Sequence, residues 1–255
     1  MSEKLAAAVL AAGRIDTKLR QATGAEAKAL IPVGGQPIID RILGALDGAE
    51  TVDEVRVVCA KDSPVLKHVG PRAVEAQGPG FIDTLMTGAE ALGMPERLLV
   101  VTGDVPLVTS EGLDHFCRQA LQCDAHIVYP VVRRGDSERV FPGGQRTFIR
   151  LREEEVTGGN VAVLSRDFLQ HQGDRLSEAF AARKNPLRLC SMLGWGFLLR
   201  LLLGRLGIPE VAARAEKVLG SRVLVVYSPY PELGFDVDKP SHLASVEACL
   251  AQRST

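Results

Sequence analysis

Leu5-Ala-Ala-Ala-Val-Leu-Ala11, broken at once by Ala12-Gly13-Arg14, decides how the rest of the chain is read. Seven apolar residues with no polar alternate describe a strand buried on both faces, as in a parallel sheet covered by helices. The small-residue turn lets backbone N–H groups approach an anion, and Arg14 adds a positive charge. A polar loop follows, then Lys28-Ala-Leu-Ile-Pro-Val-Gly-Gly-Gln-Pro37, with a second cation set directly before an apolar run and a Gly-Gly turn. A strand opening into such a turn suits a polyphosphate.

The remainder repeats the unit. Apolar runs at Val55–Cys59, Leu98–Val101, His126–Val132 and Val223–Tyr227 read as further strands. Helical periodicity falls at about Gln36–Asp47, Phe81–Leu92, Ser110–Gln122, Ile208–Leu219 and Ser241–Ala251. The alternation predicts an α/β fold of three layers with a mostly parallel, Rossmann-like sheet. Ligands of such sheets bind outside the carboxyl ends of the strands. The turns at Ala12-Gly13-Arg14 and Gly103-Asp104 both lie there, so they can share one cleft.

Residues 133–157 break the pattern. Arg133, Arg134, Arg139, Arg146, Arg150 and Arg152 mix with Pro142-Gly143-Gly144, and Thr147–Leu151 alternates like an exposed strand. This stretch is expected to form a hairpin or flap. Thr157-Gly158-Gly159-Asn160 and a strand at Val161–Leu164 follow, then a helical segment at about 174–219. With no linker and no internal repeat, residues 1–255 are expected to form a single domain.

Composition excludes several classes. At 255 residues and 46% hydrophobic, the chain can bury a large core. A formal charge of −1 makes no electrostatic case for a nucleic-acid or membrane-surface partner. Cys59, Cys117, Cys123, Cys190 and Cys249 are scattered and odd in number, which favours reduced thiols in a cytoplasmic protein. Lys4 and the apolar run after it resemble a short export signal. The basic region is weak, however, and the run continues as the first β/α unit. Met192–Ile208 is Leu-rich but interrupted by Arg200 and Arg205, so a buried or interface helix is expected instead of a membrane span.

The candidate chemistry lies in five places. Asp104 emerges just past the apolar strand of Leu98-Leu-Val-Val-Thr-Gly-Asp104; Ser110 is the better cap for the next helix, which leaves Asp104 free as a metal ligand. Asp236 and Asp238, two apart on an extended segment, should point to opposite faces. Asp238 is preferred as the ligand and Asp236 as support, with Pro240 starting a helix. Lys28 and Arg14 are the candidate phosphate cations, beside Ala11, Ala12 and Gly13. Gly159 and Asn160 either form an ordinary turn or offer close backbone approach and an amide to a polyol. Gln77 and Gly80 are either a plain turn or a nucleobase contact.

In this order, the segments resemble the nucleotidyltransferases with a molybdenum-cofactor-guanylyltransferase-like NTP transferase domain, relatives of the sugar-phosphate nucleotidylyltransferases. Ala11-Ala12-Gly13-Arg14 is similar to that family's nucleotide-phosphate loop and Lys28 to its following lysine. Gly34-Gly35-Gln36-Pro37-Ile38-Ile39 is similar to its turn into the first helix. Gly103-Asp104-Val105-Pro106 and Asp236-Val-Asp-Lys-Pro240 resemble its two metal segments, and Gly159-Asn160 its acceptor-binding turn. One departure stands out: Arg14 follows Gly13 directly, and the loop to Lys28 is long, carrying Asp16, Lys18 and Arg20.

The resemblance implies a nucleotide-diphospho-sugar-transferase fold and a Mg²⁺ (or Mn²⁺) ion. It also implies transfer of a nucleoside monophosphate from an NTP to a small phosphorylated acceptor, with release of pyrophosphate. A dinucleotide-dependent dehydrogenase would need a second glycine soon after Gly13, and Arg14-Ile-Asp-Thr17 has none. A metal-dependent glycosyltransferase would more often carry its DxD at the central turn. A non-catalytic assembly protein, with the Leu-rich segment as a homo-oligomer interface, would leave both carboxylate segments unexplained.

Overall fold

The structure, a computed structural model, describes residues 3–144, 146–182 and 191–253. Cys190, Gln145 and residues 183–190 of the expected helical segment lie outside the described residues. The strands are, in chain order, β1 (Leu5–Ala11), β2 (Pro32–Val33), β3 (Gln36–Pro37), β4 (Val52–Cys59), β5 (Ala73–Glu75), β6 (Arg97–Thr102), β7 (Ile127–Arg133), β8 (Ile149–Arg150), β9 (Glu155–Gly158), β10 (Val161–Ser165) and β11 (Val223–Tyr227).

Nine of them build one mixed sheet in the order β5-β4-β1-β6-β10-β7-β9-β8, with β11 also paired to β7. β5, β4, β1 and β6 run parallel, and β11 runs parallel to β7. β10 runs antiparallel between β6 and β7. That reversal matters for the site: the start of β10 lies beside the end of β6, with Val161 opposite Val101.

β1 sits in the centre, between β4 and β6. Its alternate residues feed two different cores: Leu5, Ala7, Val9 and Ala11 on one face, Ala8 and Leu10 on the other. β6 does the same, with Leu99 and Val101 on the first face and Leu98 and Val100 on the second. Helices Ile38–Asp47, Ser110–Leu121 and Pro240–Arg253 contribute to the first core. Phe81–Ala91 and Arg166–His171 contribute to the second. This is why neither strand carries a polar alternate.

Local differences from the sequence reading have local causes. The Gln36–Asp47 helix begins only at Ile38, because Gln36–Pro37 pairs with Pro32–Val33 across Gly34 and Gly35. Both glycines adopt positive φ, +56° and +75°, as a two-residue hairpin turn requires. The polar loop after Arg14 contains a helix, Thr17–Thr23, capped by Asp16 and anchored by the fully buried Leu19. Ser110 does not cap the helix it begins. Thr109 accepts from Gly112 N at 3.1 Å, while Ser110 Oγ donates to Ala45 O.

In the expected flap, Arg134–Val140 is helical and only Ile149–Arg150 forms the exposed strand, paired with β9. The Leu-rich helix Trp195–Leu202 is not buried: it contains no buried residue. No helix among the described residues is long and apolar enough to cross a membrane.

Candidate active site

Backbone hydrogen bonds draw four segments to the carboxyl ends of β1 and β6. Gly103 N donates to Leu10 O at 3.0 Å, joining the two strand ends. A Cβ on Gly103 would lie 2.9 Å from Ala11 Cα, so the approach depends on glycine. Thr102 N donates to Asn160 O, Asn160 N to Leu233 O, and Val237 N to Asp104 O. Through these bonds Asp104, Asn160 and the 235–238 segment, more than 50 residues apart in sequence, sit side by side.

Three carboxylates converge there. One oxygen each from Asp104, Asp236 and Asp238 lies within 4.8 Å of the others. The expected alternation, sending one of the Asp236/Asp238 pair away, therefore fails. The segment is an irregular loop between a 3-10 turn at Pro231–Gly234 and the helix begun by Pro240, so a strand's two-residue period does not apply.

Lys28 bridges two of the three. Its Nζ donates to Asp104 Oδ2 at 2.6 Å and to Asp238 Oδ1 at 2.5 Å. The lysine stands in a 3-10 turn, Lys28–Leu30, held down by Ala29 and the buried Ile31 behind it. Burial alone would pull its ammonium down, but Asp104 and then Asp238 hold it above the ordinary lysine value.

Asp236 is held from the opposite wall. It pairs with Arg146, and Asn160 Nδ2 donates to its Oδ1 at 3.4 Å. Burial pushes the Asp236 carboxyl up. Hydrogen bonding with Asp238 and the Arg146 charge outweigh that and leave it below the usual carboxylate value.

The donor set fits a hard divalent cation. Carboxylate oxygens are the ligands such ions select. Asp104 Oδ1 in particular is buried with no hydrogen-bond partner, a costly arrangement that a cation would relieve.

The remaining expected residues divide. Ala11, Ala12 and Gly13 leave β1 at this edge, and Gly103 and Asn160 are built into it. Gly159 N donates to Pro130 O, and a Cβ there would meet Pro130 Cγ at 2.6 Å; the glycine serves a tight turn. Arg14 is exposed and makes no ion pair with any described residue. Gln77 Nε2 donates to Glu90 on the helix Phe81–Ala91, and Gly80 N donates to Asp83, capping the same helix. The structure does not join these two to the carboxylates by any bond.

Arg146 is the residue that sequence reasoning left unassigned. Nothing local distinguishes it from Arg133, Arg134, Arg139 and Arg152, which pair with exposed or half-buried acids. A groove of about 410 Å³ opens nearby, between the helix Ile38–Asp47, the 106–110 turn and the C-terminal helix. It is lined by none of the three carboxylates, so chemistry rather than volume locates the site.

Comparison with known proteins gives the chain its family. Residues 7–186 match the MobA-like NTP transferase domain family. A probable molybdenum cofactor guanylyltransferase of Thermococcus gammatolerans is 27% identical over 142 residues, covering 53% of this chain and 70% of that protein. The bifunctional protein GlmU of Enterococcus faecalis is 34% identical over 114 residues; the match covers 42% of this chain but only 23% of GlmU. Among solved structures, a hypothetical transferase from Thermus thermophilus superposes with a TM-score of 0.82. It is 35% identical, over 94% of this chain and 99% of that one. The convergent acids, the bridging lysine and the family match lead to one conclusion: the chain belongs to the MobA-like NTP transferase family and is a nucleotidyltransferase.

Proposed function

We propose that this enzyme transfers a nucleoside monophosphate from an NTP to a phosphorylated small molecule, a sugar phosphate or a cofactor precursor, with Mg²⁺ or Mn²⁺. The observation that carries the proposal is the meeting of Asp104, Asp236 and Asp238 around Lys28 at the strand ends. The three acids would hold the divalent ion, with Asp104 and Asp238 as the principal ligands. When bound, the ion supplies neutralisation and orientation of the polyphosphate. The chain's own residues do the rest. Lys28 neutralises phosphate charge from inside the cluster, and the N–H groups of Ala12 and Gly13 with the Arg14 side chain cradle the outer phosphates. Asn160 orients the acceptor, and Gln77 reaches the base by leaving Glu90, with Gly80 beside it.

In the reaction an acceptor oxygen forms a bond to the α-phosphorus. The bond from that phosphorus to the bridging oxygen breaks, and its electron pair leaves with pyrophosphate. A phosphate monoester is already ionised near neutral pH, so no general base is required, and catalysis is positioning and charge neutralisation. This suits a site with acids, cations and glycines and, among the described residues, no hydrogen-bonded nucleophile–base pair.

The direct test is a matrix of NTPs against sugar, alditol and cofactor-precursor phosphates with Mg²⁺, read as pyrophosphate release. Release of nucleoside diphosphate from a nucleotide sugar would point to glycosyl transfer instead. With the substrate pair found, Asp104→Ala and Lys28→Ala should each lower turnover by about 10²–10³. Full activity in either variant would refute the assignment.

Three coarser features complete the reading. We take residues 1–255 as one functional unit, because β11 and both late carboxylates come from beyond residue 220. The free thiols Cys59, Cys117, Cys123 and Cys249 support a cytoplasmic location. The stripe Trp195, Leu199, Leu202 and Leu203 is read as the contact for a second copy of the chain. Those side chains are 71, 60, 82 and 52% exposed. Together they offer on the order of 500 Å², the size at which apolar patches mark partner sites. Two copies face to face would bury about 1,000 Å², the threshold of a specific interface. Arg200 beside the stripe is neutralised by Glu210, which favours a protein partner over an anionic lipid surface.

A further inference from the structure

The three carboxylates are already neutralised in part, and by cations from opposite walls. Lys28 comes from the 3-10 turn Lys28–Leu30, on the side read as the nucleotide's, and holds Asp104 and Asp238. Arg146 comes from the flap, on the side of Asn160, and holds Asp236. Both are largely enclosed, with side chains 13% and 11% exposed.

Arg146 is placed there by packing. The turn Phe141–Gly144 closes through Gly144 N donating to Phe141 O, and Gly143 takes a φ of +73°. Phe141 stacks on Phe235 with centroids 4.2 Å apart, and both rings are buried. Phe235 is the residue before Asp236, so the same contact that anchors the flap sets Arg146 beside that carboxylate. The guanidinium lies 5.7 Å from the centroid of the Phe235 ring.

With every group ionised, three carboxylates and two cations leave the cluster with a net charge of −1. Such a site resists a polyanionic substrate. Asp104, Asp236 and Asp238 would hold a divalent ion that supplies the missing positive charge, and Arg146 would then no longer be needed at Asp236. Its planar guanidinium stands on the acceptor's wall, with a donor geometry that can grip phosphate in two places.

We infer that Arg146 is an acceptor-binding residue held in reserve: it guards Asp236 until the metal binds, and then turns to the phosphate of the acceptor. The inference rests on reading the acids as a metal site, and it assigns the acceptor side to a flap residue that otherwise looks like surface charge.

The test uses the full chain, Mn²⁺ as the metal and inorganic phosphate as the probe. Mn²⁺ binding is followed by electron paramagnetic resonance, and phosphate by its ³¹P relaxation beside bound Mn²⁺. Arg146→Gln should bind Mn²⁺ about tenfold tighter than the wild type, since a charged hydrogen bond no longer has to be broken. It should also lose the phosphate relaxation. Arg146→Lys, which keeps the charge but not the fork, should bind Mn²⁺ like the wild type and still bind phosphate weakly. If Arg146→Gln leaves both signals unchanged, or Arg146→Lys matches the wild type in both, the inference is overturned. If wild-type Mn²⁺ binding is absent, or survives Asp104→Asn, the metal-site reading fails and takes the inference with it. Should Arg146→Gln not fold, the Arg146→Lys phosphate signal decides alone.

Discussion

At the scale of single residues, the candidate site is built from two kinds of position: those that carry charge and those where a missing side chain lets strands meet. Gly103 is the second kind. Its missing Cβ leaves room for Ala11, and the backbone bond to Leu10 O draws the β6 turn against the end of β1. A methyl 2.9 Å from Ala11 Cα meets backbone at the centre of the sheet, where little can yield. Gly103→Ala should therefore cost about 1–3 kcal/mol in urea unfolding, within the range of overpacked cores. It should also disturb Asp104, the next residue, more than its stability cost accounts for. That Gly103 and Asp104 lie at the end of a buried strand was readable from sequence, because the apolar run before them stops there. Arg146 was not readable. It is one of six arginines in residues 133–152, and only the Phe141–Phe235 stack separates it from its neighbours.

At the scale of elements, Asp114 shows how a helix is fastened to the sheet away from the site. It lies in Ser110–Leu121 and is 6% exposed, yet it accepts from Thr51 N at 2.9 Å, Thr51 Oγ1 at 2.7 Å and Glu50 N at 3.1 Å. Burial pushes its carboxyl up, but the Thr51 and Glu50 hydrogen bonds outweigh that and hold it below the ordinary value. Folding thus favours the ionised form. The stabilisation is complete above the unfolded carboxyl's titration near pH 4 and is lost as pH falls through the lower folded value. Asp114→Asn should cost about 1–3 kcal/mol near pH 6, from buried donors left poorly matched. The gap from wild type should narrow near pH 3 in denaturant titrations. A gap that stays constant with pH would show that the charge is not what these bonds select.

Element boundaries were read well wherever long apolar periodicity persisted, as in β1, β11 and the helix Ile208–Leu219. They were missed where few residues carry the signal. The two-residue strands β2 and β3 have no period of their own and pair only with each other across the Gly34-Gly35 turn, while β8 keeps just two residues of the alternating stretch Thr147–Leu151.

At the scale of the whole molecule, the helix Trp195–Leu202 is the feature that the site does not explain. Its apolar stripe faces outward, beyond the matched family region of residues 7–186. If two copies meet there, Leu199→Glu with Leu202→Glu should convert a dimer into a monomer in light scattering, without changing the melting temperature by more than a few degrees. A wild type that is monomeric at micromolar concentration would refute the contact.

The sequence by itself determined the layered fold, the order of the strands along the chain, and which acids and lysine were candidates for the site. Continuous apolar runs alternating with amphipathic helices suit strands covered on both faces, and Asp104, just past such a run, lies at the strand ends where ligands of such sheets bind. Only the tertiary structure decided that β10 runs against its neighbours, which sets Asn160 beside Asp104. It likewise decided that Asp236 and Asp238 both turn inward, and that Arg146 rather than another arginine holds the third acid. These are choices between arrangements of similar local energy. Hydrogen bonds and packing between segments dozens of residues apart select among them, and no local period records such contacts.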